Sequence, residues 1–141
     1  MNIAIDFDGT IVEHKYPQIG KERLFAFETM KQLQKQGHNL MLWTFRSGKE
    51  LEEAISFCKE RGVEFYTINN SYPDEEFQSN SSRKILADIY IDDRNLGGFP
   101  GWSLVWQLLG NGNLENYMTT IEKMGFSATF WDKVKKLFNI A

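Results

Sequence analysis

The sequence predicts an α/β fold, a three-layer doubly wound parallel sheet, and three observations lead there. Short apolar, β-branched runs alternate with segments of helical period. Short polar or glycine-containing linkers separate them, and this alternation implies parallel strands joined by right-handed crossovers. Two of the apolar runs stop at paired acids: Ile3-Ala4-Ile5 leads into Asp6-Phe7-Asp8-Gly9-Thr10, and Ile89-Tyr90-Ile91 leads into Asp92-Asp93. In an open parallel sheet, ligands bind outside the carboxyl ends of the strands.

The elements follow in order. A first strand covers residues 2–7. Residues 11–20 hold Pro17 and Gly20 without a clean period and read as a loop with room for a short hairpin. A helix is expected from about Lys21 to Gln36, where Ala26, Phe27, Met30 and Leu33 share one stripe. Gly37 suits the left-handed position beyond its end. A second strand covers 39–44 and ends at Thr44. Ser47 and Glu50 have capping-box spacing, and Leu51, Ala54, Ile55 and Cys58 stripe the helix that follows. Gly62 closes it, and a third strand is expected over 63–68. Residues 69–83 form a long polar connection, a length that in a compact domain points to function. The fourth strand covers 87–92.

Gly97, Gly98, Pro100 and Gly101 mark the next break. Beyond it Trp102, Val105, Trp106 and Leu109 share a helical face. Leu114 to Met124 suits another helix, and Phe130, Val134 and Leu137 stripe a third. The expected organisation is one domain over 1–141, with a motif-bearing core in 1–98 and a helical segment in 99–141. The aromatic helices are read as cover for the sheet or for a partner subunit.

Composition bounds the function. At 141 residues the chain suits one domain and not two. Its residues are 42% hydrophobic and 25% charged, which suits a globular core and argues against disorder. No apolar run approaches the roughly 18 residues that cross a membrane, and the first strand begins too early for a signal peptide, so a cytoplasmic protein without a membrane partner is expected. A net charge of −3 offers no general attraction to nucleic acid. The basic cluster Lys133, Lys135 and Lys136 reads as a solvated helix face. The single cysteine, Cys58, excludes an internal disulfide, and its place on an apolar stripe makes it a core residue rather than a nucleophile.

Acidic pairs on two neighbouring strand ends repel one another, and such a cluster is tolerable when a cation sits in it or a carboxyl holds a proton. Asp8-Gly9 alone reads as a turn, but Asp-x-Asp-Gly-Thr after an N-terminal strand is far more specific. With Thr44 ending Leu40-Met41-Leu42-Trp43, then Lys84, then Asp92-Asp93, the chain resembles the haloacid dehalogenase-like (HAD) superfamily of phosphatases over roughly residues 1–98. The resemblance implies a Rossmann-like, HAD-like sheet, a Mg2+ cofactor and hydrolysis of a phosphate monoester through an aspartyl-phosphate.

Residue by residue, Asp6 is the candidate nucleophile, held at a strand end in line with phosphorus. Asp8 suits a general acid toward the leaving alkoxide and then a base toward water. In the resembled family the backbone carbonyl of Asp8 ligates magnesium. Asp6, Asp8, Asp92 and Asp93 thus form the expected metal set, with Asp92 the direct ligand and Asp93 a water-mediated or orienting partner. Thr44 offers its hydroxyl and amide to a phosphoryl oxygen, or else caps the next turn. The family pattern places Lys84 as the phosphate-neutralising cation, with Arg83 as its competitor. Arg46 either touches substrate or braces the turn.

Residues 11–43 and 45–83 leave no room for an inserted cap domain, so the site is expected to be open to bulky substrates. His14, Lys15 and Tyr16 are the nearest local cover, and a homo-oligomer could supply another wall. His38 starts a strand and is read as satisfying local polar groups. Alternatives remain: a non-catalytic or receiver-like phosphate- or magnesium-binding module, or a polynucleotide 3′-phosphatase, the last weakened by the acidic balance. A receiver domain would need its phosphorylated Asp after the third strand, where Ile68-Asn69-Asn70 stands. A haloalkanoic-acid dehalogenase would not need Asp8 or the Asp92-Asp93 pair.

Overall fold

The computed structural model describes residues 1–110. The expected helix over 114–124, the stripe through Phe130, Val134 and Leu137, and the lysine cluster near residue 135 lie outside them. Seven elements are present: β1 (Asn2–Ile5), α1 (Ala26–Lys35), β2 (Asn39–Leu42), α2 (Gly48–Glu60), β3 (Thr67–Ile68), β4 (Ile89–Ile91) and α3 (Trp102–Leu109). The strands form one parallel sheet in the order β3-β2-β1-β4. Ile5 is in register with both Leu42 and Ile91, so the acidic strand ends of β1 and β4 emerge side by side. The chain reverses its direction across the sheet at this pair, where an open α/β sheet leaves its crevice.

Alternation along the strands sorts the core. Ile3, Ile5, Leu40, Leu42 and Ile91 turn to one face and pack with Phe27, Met30 and Leu33 of α1, Ala54 and Cys58 of α2, and Trp102 and Val105 of α3. Ala4 and Met41 turn to the other face, against Ile85, Trp43, Ala87 and Tyr90. All three helices therefore cover one face. Successive crossovers in one direction, β1 to β2 to β3, put α1 and α2 on that side together. The return from β3 to β4 passes over the second face without a helix. The third layer of the expected doubly wound arrangement is thus not found among the described residues, where an irregular segment stands instead.

Helix ends explain where the strands begin. Gly37, at φ 84°, follows α1, with the His38 amide donating to Leu33 O and the Gly37 amide to Gln34 O, a paired arrangement that satisfies the last carbonyls. The same pattern ends α2: Val63 donates to Cys58 O and Gly62 to Lys59 O. Val63 is consumed by this cap, so β3 starts at Thr67 and not at 63 as expected. The other strands are also shorter than expected. Their pairing nevertheless runs one residue further, with Asp6 donating to Ile91 O and Trp43 to Ile5 O, each at 2.9 Å.

Helix α1 starts at Ala26, five residues later than expected. Residues 21–23 pair instead with 11–13: Glu13 donates to Lys21 O, Arg23 to Ile11 O, and Val12 bridges Glu22 antiparallel. Phe25 then takes a left-handed conformation, φ 64°, which no helix interior allows. Ser47 is the N-cap of α2, as the spacing predicts, though its side chain makes no cap hydrogen bond. No further folded unit is inserted between β1 and β4. Among the described residues, no helix is long and apolar enough to cross a membrane.

Candidate active site

Above the carboxyl ends of the strands lies a cleft of about 930 Å³, lined among others by Asp6, Asp8, Thr44, Asp92 and Asp93. Asp6, Asp92 and Asp93 each offer a carboxylate oxygen within 4.8 Å of the other two. Burial, and then the charge of Asp92, push the Asp6 carboxyl up to about 7, with a smaller push from Asp93. The Phe7 amide and the Thr10 hydroxyl pull the other way.

Thr10 is wholly buried and knits this cluster together. Its hydroxyl donates to Asp6 Oδ2 at 3.2 Å and accepts the Asp93 amide at 3.0 Å. Its carbonyl accepts the indole N–H of Trp102 at 2.8 Å, tying the loop after β1 to α3. Gly9 gives the loop its approach: φ is 98°, and a β-carbon there would lie 2.1 Å from Asp93 Oδ2. Asp92 Oδ1 accepts the Arg94 amide at 2.7 Å, which turns the chain after β4.

These donors suit a hard cation. Asp93 Oδ1 is buried without a hydrogen-bond partner, and an unpartnered buried carboxylate oxygen is costly. Arg94, exposed and 3.8 Å from the other oxygen of Asp93, offsets little of the crowding. Three carboxylate oxygens, with room in the cleft for water, could hold a hard divalent cation.

Asp8 lines the same cleft but is not one of the three clustered carboxylates. Arg46 Nε donates to its Oδ2 at 2.7 Å and Nη2 to its Oδ1 at 2.8 Å. Arg46 is buried and also donates to the carbonyls of Pro17 and Gln18. Its guanidinium lies 4.9 Å from the Phe7 ring centroid and 5.3 Å from that of Tyr16. Of the two roles weighed for Arg46, bracing is what it performs here. The side chain of Asp8 is not in the carboxylate triad, and a metal contact would fall to its backbone.

No family model matches the chain, and no curated protein matches it. A solved structure does: that of a conserved protein coded by a locus of Bacteroides thetaiotaomicron. It is 51% identical, covers 80% of this chain and 92% of its own, and superposes with a TM-score of 0.74. The chain belongs to its family. That likeness carries the family and the fold, and the chemistry rests on the side chains.

The remaining expected residues are placed unevenly. Thr44 lines the cleft, but its amide donates to Asn69 Oδ1 at 2.8 Å and its hydroxyl accepts the Arg46 amide at 3.1 Å. It caps its own turn, and the hydroxyl proton alone is left for a ligand. Lys84 does not line the cleft; its ammonium sits 5.3 Å from the Tyr90 ring centroid. Arg83, its weighed competitor, lines the cleft together with Arg94. His14 and Tyr16 overhang as expected, while Lys15 is not among the lining residues. His38 stands before β2, whose other end leads to the cleft, and does not line it; its Nδ1 is 3.2 Å from the Met1 amine. Burial pushes the Cys58 thiol up to about 12, which leaves it inert.

Thr10 and Arg46 carry more of the site than the sequence assigned to them. Thr10 closes the Asp-x-Asp-Gly-Thr motif, but its two partners, Asp6 and Asp93, are separated from one another by most of the chain.

Proposed function

We propose that the protein is a magnesium-dependent phosphomonoesterase that works through an aspartyl-phosphate on Asp6, in the manner of the HAD-like phosphatases it resembles. One observation carries this reading: Asp6, Asp92 and Asp93 bring carboxylate oxygens within 4.8 Å of one another, and one of the three, Asp93, has a buried oxygen without a partner. Two of the three stand at the ends of adjacent parallel strands, the third one residue beyond.

Asp6, Asp92 and Asp93 would hold the ion, with the Asp8 carbonyl as the further ligand that the resemblance implies. A bound magnesium ion would neutralise phosphoryl oxygens and keep Asp6 ionised. The chain's own residues do the rest. Thr10 donates to one oxygen of Asp6 and so orients the carboxylate, which attacks phosphorus as the bond to the leaving oxygen breaks. That oxygen leaves with a proton, for which Asp8 is the candidate donor. Both Asp8 oxygens accept from Arg46 here, so this transfer requires one of those bonds to be exchanged for the leaving group. Water then attacks the aspartyl-phosphate, returns its proton to Asp8 and frees Asp6. With Lys84 turned toward Tyr90, Arg83 is our candidate for the cation that meets the phosphoryl oxygens.

The test is hydrolysis of a broad panel of phosphate monoesters with magnesium, with chelator, and by Asp6→Asn. We expect metal-dependent turnover that Asp6→Asn abolishes while the variant melts normally. We expect Asp8→Asn to slow turnover and accumulate phosphorylated protein. Near wild-type turnover by Asp6→Asn overturns the nucleophile assignment. Magnesium binding without turnover of any ester favours the binding-module reading.

A further inference from the structure

The outer cleft differs in character from its acidic floor. Phe45 stands at its lip 92% exposed, an unusual position for a large apolar ring in a rigid segment. The segment is rigid because both flanking residues are fixed. The Thr44 amide is held by Asn69, the Arg46 amide by Thr44, and the Arg46 side chain is buried against Asp8. The turn therefore presents the ring to the cleft and does not let it fold back into the core.

Tyr16 comes from a different segment, the loop after β1. Its ring meets Phe45 edge-on, with centroids 6.4 Å apart and planes at 71°. The Arg46 guanidinium backs Tyr16 at 5.3 Å, so the same buried arginine sets both rings. Phe77 and Trp43 add aromatic surface to the lining. A cleft of about 930 Å³ far exceeds a phosphate group. Flat, π-faced side chains carried by a held turn at the lip of a cleft with an acidic floor are a stacking platform.

We infer that this lip binds a planar aromatic or heteroaromatic ring carried by the substrate's leaving group, so that the substrate class is ring-bearing phosphate monoesters of small-molecule size. The inference rests on the phosphomonoesterase reading for the chemical step and on Phe45 and Tyr16 for the specificity. The net charge of −3 favours a small molecule over a polyanion.

A matched pair of probes isolates the ring. Ribose 5-phosphate and adenosine 5′-monophosphate share the same primary phosphate ester and leaving-group chemistry and differ chiefly in the base. With magnesium present, we expect kcat/KM to favour the nucleotide by roughly ten- to hundredfold. In Phe45→Ala that ratio should fall by about tenfold, and Phe45→Trp should restore it, because the exposed ring supports stacking and not the fold. Equal kcat/KM values for the two probes, or a ratio unchanged in Phe45→Ala, overturn the inference. An oligonucleotide 3′-phosphate preferred over both probes overturns the small-molecule class. If neither probe turns over, calorimetric binding of the two in the presence of magnesium decides the ring question separately. Tighter binding of the nucleotide that Phe45→Ala abolishes sustains the ring site while the phosphatase reading fails. Equal binding overturns it.

Discussion

Arg46 grips Asp8 with two N–H groups, at 2.7 and 2.8 Å, across 38 positions of sequence. The pair links the loop after β1 to the turn after β2, and the bonds from Arg46 to Pro17 and Gln18 extend the link to the segment that overhangs the cleft. One buried cation thus orients the candidate acid, the lip tyrosine and the turn that carries Phe45. Its position suits a part that sets the geometry of the whole site.

Removing Arg46 should therefore cost both stability and activity. The guanidinium is fully buried and the Asp8 side chain nearly so. Arg46→Ala leaves a carboxylate and two carbonyls without donors, a loss of about 3–5 kcal/mol in urea unfolding. Arg46→Lys keeps the charge but not the planar fork, so it should recover part of the stability and little of the turnover. An unfolding free energy of Arg46→Ala within 0.5 kcal/mol of wild type, the roughly neutral range of surface changes, would show that the pair is not structural.

Acidity gives a second outcome. The folded-state value for Asp6 is about 7, raised from 3.8. Between those values the folded protein holds a proton that the unfolded chain has released, so this group's contribution to stability is full below about pH 4 and is lost as pH rises through about 7. Metal-free protein should melt at falling temperature across that window, and Asp6→Asn should remove most of the fall. On the proposed reading magnesium binds the anion, so its stabilising shift in Tm should grow from about pH 5 to about pH 8. A magnesium shift independent of pH contradicts Asp6 as a ligand.

Much of this was legible in the sequence where local pattern and function coincide. The apolar runs before Asp6 and Asp92 are strands because their residues are β-branched and buried, and the acids follow because the strands end there. Putting β1 between β2 and β4 followed from the need to bring two acidic ends together. The start of α1 was not legible, since residues 21–25 hold no helix breaker before the stripe that begins at Ala26, yet residues 21–23 are claimed by pairing with residues 11–13. Nor was Val63, whose amide closes the preceding helix. Lys84 and Arg83 stand in a connection without period, so nothing local tells which side chain turns to the cleft. The Arg46–Asp8 pair and the hydrogen bond from the Asp93 amide to Thr10 arise only when distant strand ends meet.

Gly9→Ala tests how tightly the acidic floor is packed. The added methyl would sit 2.1 Å from Asp93 Oδ2 at a backbone φ of 98°, where an L side chain is already strained. Asp93 must move or the loop must open. We expect a loss of about 2 kcal/mol or more and a magnesium-induced Tm shift reduced to near zero. A variant that binds magnesium as wild type does would exclude Asp93 from the site.

Thr10→Val is the sharper test, because it keeps the shape of the side chain and removes only its hydroxyl. Two bonds go at once: the donor to Asp6 Oδ2 and the acceptor for the Asp93 amide. The amide is then left without its partner, a cost of about 1–3 kcal/mol. Thr10 pulls the Asp6 carboxyl down, so without it the titration of Asp6 in metal-free protein should move to higher pH, as read by carboxyl chemical shifts. Turnover should fall by about ten- to a hundredfold, since an unoriented carboxylate loses its line of attack. Thr10→Ser, which keeps the hydroxyl and drops a methyl, should retain the wild-type titration and most of the rate. If Thr10→Val keeps the wild-type titration and rate, the bridge from Asp93 through Thr10 to Asp6 has no part in the chemistry.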